Sequence, residues 1–86
     1  MATYLISYDI VRSPSEYPEL WAQFDSDGAV KILLSEYLIS TNESAGDLAN
    51  RYLRHLDDND RLFVCTANNW AYRMIKNETA AKRLLP

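Results

Sequence analysis

The sequence predicts an α+β fold of the ferredoxin-like kind: a four-stranded antiparallel sheet with two helices on one face, in the order βαββαβ, followed by a C-terminal tail. Two observations carry this expectation. Apolar residues crowd into strand-like runs near 3–8, 29–39 and 61–67, and they recur at helical spacing in the segments between. The resulting order is that of two βαβ halves, and right-handed crossovers place both helices on the same side of the sheet. Eighty-six residues with 48% apolar content suit a single domain, 1–86, with one modest core and a tail over about 70–86.

The first strand runs from about Thr3 to Tyr8 and ends in a carboxylate, Asp9. After a connection through Arg12, Ser13, Pro14 and Ser15, residues Tyr17, Leu20, Trp21 and Phe24 mark one helical face. Pro18 is tolerated only in a first helical turn, so the helix starts near Tyr17 or Pro18. Gly28 is suited to a left-handed cap after Asp25, Ser26 and Asp27. Ala29 to Ile39 reads as two antiparallel strands joined by a tight turn or bulge near Ser35 and Glu36, with one long bent strand as the alternative. Ser44 with Asp47 three residues on has the form of a capping box, and Leu48, Tyr52, Leu53 and Leu56 then mark a second amphipathic helix. The acidic run Asp57, Asp58, Asn59, Asp60 ends it, and Arg61 to Ala67 is the last strand of the sheet. In the tail, Asn68 to Ala71 reads as a turn and Glu78 to Leu85 as a short helix positioned to dock on a partner.

Two helices cover one face of a sheet, and the other should then be polar in a monomer. Here both parities of the strands are apolar: Tyr4, Ile6 and Tyr8 alternate with Leu5 and Ser7, and Leu62 and Val64 alternate with Phe63 and Cys65. The second face is therefore expected to be buried, most economically against a second copy across a two-fold axis. Asp9, on the parity of Leu5 and Ser7, would lie near that axis. Two such carboxylates can share a divalent cation, magnesium or manganese; the plainer alternative is an acceptor of backbone hydrogen bonds at the strand end.

The formal charge of −3 counts against a general nucleic-acid binder, because affinity for phosphates comes from clustered Lys and Arg. The basic residues read as interleaved with acids. Arg12, Trp70 and Arg73 are the candidates for nucleic-acid contact, with Trp70 and Tyr72 able to stack a base; tail packing is the competing role for Trp70. The acidic run lacks the glycine and terminal glutamate of a calcium loop and reads as a solvated turn. His55, near a helix end, has no second histidine or cysteine partner to build a zinc site or triad. The lone Cys65, and the lack of a signal peptide or an 18-residue apolar run, point to a reducing, cytoplasmic setting with no membrane contact.

Several motifs in order carry a family resemblance: the strand ending Tyr8, Asp9, Ile10; Tyr17 to Leu20; Leu33 to Leu38; Asp57 to Val64; and Asn69 to Ala71. Over roughly residues 2–75 the chain resembles the small CRISPR-associated adaptation proteins, the Cas-two family, and within it the SinR-like branch. The resemblance implies a ferredoxin-like homodimer, in some members a magnesium-dependent endonuclease with the strand-end aspartate, here Asp9, as metal ligand. Ser35 would match the polar residue of the third strand. In adaptation the family bridges an integrase complex, and a related toxin group, virulence-associated protein D, cleaves RNA. Of the basic residues the family places after the aspartate, only Arg12 stands here, and the first helix carries Glu16 and Glu19. Weak positive charge disfavours binding and cleaving a phosphodiester. An assembly or nucleic-acid-associated role therefore ranks ahead of a metal-dependent endonuclease using Asp9 from both subunits, with a toxin–antitoxin component as a third reading.

Overall fold

The computed structural model describes all of residues 1–86. Four strands, β1 (Ala2–Asp9), β2 (Val30–Leu33), β3 (Glu36–Thr41) and β4 (Arg61–Thr66), form one antiparallel sheet in the order β2-β3-β1-β4. With the helices α1 (Pro18–Ser26), α2 (Ala45–Leu53) and α3 (Glu78–Leu84) this makes a small α+β fold, and the strand order is compatible with a ferredoxin-like arrangement.

Local chemistry sets the boundaries of the elements. Pro18 opens α1, and a 3₁₀ turn at Pro14–Glu16 precedes it, an element not expected from the sequence. At the other end Gly28 takes φ +68°, while Gly28 N–H donates to Asp25 O at 3.1 Å and Ala29 N–H to Phe24 O at 2.9 Å. These are the two bonds of a Schellman cap, and glycine supplies the left-handed residue it needs. Ser44 Oγ accepts from Asp47 N–H at 3.1 Å and starts α2. That helix stops at Leu53, so His55 and Leu56 lie in the following turn and not in the helix. Leu34 and Ser35 turn β2 into β3, beside a register shift between Lys31 and Leu33.

The principal core lies between the sheet and the first two helices. Tyr4, Ile6 and Tyr8 of β1 and Ile39 of β3 meet Leu20 and Phe24 of α1 and Leu48 and Tyr52 of α2, all buried. Aromatic packing concentrates there: the Phe24 and Tyr37 rings stack with centroids 3.8 Å apart, and Tyr52 lies 4.6 Å from Phe24. Burial, with Tyr37 nearby, pushes the Tyr8 phenol up to about 12.

The second face departs from expectation. Residues 67–86 fold back over part of it, so that Ile32 and Leu38 are buried with Ala81 of α3, and Leu5, Val30, Ala67, Ile75, Leu84 and Leu85 pack around them. Lys76 N–H donates to Ile32 O and the Asn77 side-chain amide to Lys31 O, both at 2.8 Å, along the edge strand β2. The Thr3 hydroxyl donates to Leu84 O. The tail read as a dock for a partner thus covers its own sheet. No helix is long and apolar enough to cross a membrane.

Candidate functional site

On the second face, the C-terminal half of β1 and the first half of β4 remain outside this cover. Cross-strand pairs there run Ser7 with Phe63 and Asp9 with Arg61, next to the half-buried pair Leu5 and Cys65, and Glu36 of β3 stands on the other side of Ser7. Phe63 is 64% exposed although it is a central aromatic of a strand. Leu34, 78% exposed, and Leu33 sit at the β2–β3 turn, whose Ser35 carbonyl receives Tyr8 N–H at 3.1 Å. Exposed apolar side chains therefore gather at one end of this face.

Beside Phe63 a groove of about 410 Å³ opens between the sheet and the C-terminal segment. Leu5, Leu38 and Cys65 floor it, while Trp70, Ile75 and Leu85 form its wall; Glu36 and Arg73 are the charged residues in its lining. Trp70 is 41% exposed, stacks on Tyr72 with centroids 5.9 Å apart, and donates its indole N–H to Pro86 O at 3.3 Å. Tail packing, the role set against base stacking, is thus built into the structure. The indole keeps an open side.

Asp9 is where the sequence puts it, at the exposed end of β1, in a shallow depression with Ser7, Arg61 and Phe63. It makes no ion pair within the chain, although Arg61 is its register partner. No group of three or more His, Cys, Asp or Glu is placed to hold a metal ion. One carboxylate opposite an arginine does not fit a magnesium or manganese site unless a second carboxylate joins it, because hard cations need several oxygens and are repelled by guanidinium.

Of the other candidates, Arg12 is engaged on the far side of the β1–α1 connection. Its guanidinium donates to Asp57 at 2.6 Å, approaches Glu16 at 3.4 Å and lies over the Tyr17 ring. Arg73 is exposed in the C-terminal segment and has no ion-pair partner in the chain. Four basic residues, Arg73, Lys76, Lys82 and Arg83, stand in residues 70–86 against one acid, Glu78. These are four of the nine basic residues, so this segment is the basic part of an acidic chain. Ser35 lies in the β2–β3 turn.

No family model matches this chain, and no solved structure matches it.

Two polar hubs escaped the sequence reading. Asp60 accepts from Val11 N–H, Asp57 N–H and the Tyr17 hydroxyl, tying the acidic turn to the segment that follows Asp9. Arg51 bridges Asp27 at 2.8 Å and Glu43 at 2.7 Å, with the Tyr52 hydroxyl donating to Asp27 at 2.6 Å. Hydrogen bonding to Arg51 holds the Glu43 carboxyl below its ordinary range. Each hub ties in residues distant in sequence, Asp60 to Val11 and Tyr17 and Arg51 to Asp27, which no local pattern reveals.

Proposed function

We propose that the chain works as a Cas-two-like, SinR-like homodimer with ferredoxin-like topology, in an assembly or nucleic-acid-associated role. The observation that carries the reading is the exposed apolar end of the second face, with Phe63, Leu33 and Leu34 open beside a groove. A patch of this kind on a central sheet marks an interaction surface, and a two-fold contact is the commonest way to cover it. The strand order supports the topology, and the position of Asp9 at the rim of the patch supports its role as an interface residue first. The basic C-terminal segment, bordering the same face, supplies the charge that a nucleic-acid partner would meet.

Sedimentation at micromolar concentration tests the dimer, which is expected for the wild type. A second assay sets assembly against cleavage: wild type and Asp9→Ala are incubated with labelled RNA and duplex DNA, with magnesium or manganese and with chelator. The expected result is intact nucleic acid in every arm. Cleavage that needs metal and disappears in Asp9→Ala would replace the assembly role with the endonuclease reading.

A further inference from the structure

We propose that the groove between the sheet and the C-terminal segment receives the Phe63 side chain of a second copy of this chain, each Phe63 filling the other's groove about a two-fold axis. The inference rests on the homodimer reading and specifies how the two copies seat. An isologous contact requires a surface that is complementary to itself, with knob and hole on the same patch. Phe63 and Cys65 lie two residues apart on β4 and face the same side of the sheet, so the knob stands beside the floor of the hole at about 7 Å. Phe63 is mostly exposed, whereas its strand neighbour on the groove side is partly covered.

The groove matches such a guest in chemistry. Its floor and wall are apolar and aromatic, and at about 410 Å³ it is large enough for a single aromatic ring. In its own chain Phe63 is not part of the groove lining and stays 64% exposed. Charge supports the same arrangement. Asp9 and Glu36 provide acids around the patch, Arg61 and Arg73 provide bases, and none of the four belongs to an ion pair within the chain, whereas Arg12 and Arg51 are each paired twice. A two-fold contact over this patch gives these unpaired acids and bases partners across the interface. In this seating the C-terminal segment becomes part of the interface by forming the wall of the receptor.

Two measurements on the full chain test the seating. In the first, wild type and Phe63→Asp are compared by sedimentation, with far-ultraviolet circular dichroism to show that the variant is folded. Phe63→Asp places a charge where an apolar guest should sit, and the dimer dissociation constant is expected to rise about a hundredfold or more. In the second, the alkylation rate of Cys65 is followed against protein concentration. It is expected to fall about tenfold as wild type dimerises, because the partner's Phe63 covers the groove floor, and to stay constant in Phe63→Asp. A wild-type dimer in which Cys65 reactivity does not change, or a Phe63→Asp protein that dimerises as tightly as wild type, overturns the seating while leaving the dimer in place. A wild type that sediments as a monomer overturns both.

Discussion

Asp60 accepts a backbone hydrogen bond from Val11 at 2.8 Å, another from Asp57 at 2.7 Å, and the Tyr17 hydroxyl at 2.9 Å. Partial burial works to raise its pKa, but these donors and the nearby Arg12 outweigh that and hold the carboxyl below its ordinary range. Asp60→Ala strips three donors of their acceptor and is expected to lower stability by about 1–3 kcal/mol, read as a fall in urea midpoint at unchanged slope. Asp60→Asn keeps one carbonyl acceptor and should lose less. The pH dependence follows in sign. Glu43 and Asp60 both have depressed folded values, so between those values and about 4 the unfolded chain binds more protons than the folded one. Their stabilisation is present above about pH 4 and lost as pH falls below it, and Asp60→Asn should flatten this acid limb. At the other extreme, burial raises the phenols of Tyr8 and Tyr52, so stability declines as pH rises above about 10. Melts across this range check both limbs.

Among the elements, α3 depends most on context. Seven residues do not form a stable helix in water, so α3 exists because it docks. Ala81, fully buried, lets the helix approach Ile32 and Leu38, and the contacts from Lys76 and Asn77 fix the approach along β2. Ala81→Asp would bury an unpaired carboxylate. The helix is expected to detach, at a cost of about 2–4 kcal/mol from the lost burial of Ile75, Leu84 and Leu85. Hydrogen exchange should then show the Lys76 amide unprotected while the amides shared by β1 and β3 stay slow. This element also marks the limit of what the sequence made legible. Strands, the Pro18 start, the Gly28 cap and the Ser44 cap are local features with local causes, and each sits where its residues imply. The docking of α3 was not legible, because the residue that seats it is a small alanine. Apolarity on both parities marked the second face, of which residues 67–86 cover a part and leave Phe63 exposed, but it did not show which segment does so. At the candidate site the strand-end place of Asp9 was legible, whereas its pairing opposite Arg61 depends on a register that one strand's pattern does not fix.

For the whole molecule, charge and apolar surface are distributed unevenly in a way that bears on assembly. Residues 70–86 carry a net +3 within a chain of −3, so the remainder carries −6. Charged and exposed apolar groups share the second face, where Asp9 is the register partner of Arg61 and Glu36 and Arg73 both line the groove. Such a surface has a thermodynamic consequence beyond the contact itself. If folding and association are coupled, the native state is favoured by mass action and its midpoint depends on protein concentration. An 86-residue chain unfolding with about 0.7 kcal/mol of enthalpy per residue, two chains at a time, shifts its melting temperature by about 4 °C for each tenfold change in concentration. A calorimetric series is expected to approach this slope for the wild type, and Phe63→Asp, which keeps the main core of β1, α1 and α2 intact, should melt at a temperature independent of concentration. A wild-type midpoint that does not move with concentration would mean that the apolar end of the second face stays uncovered while the chain folds, and that the core and the docked C-terminal segment are sufficient by themselves.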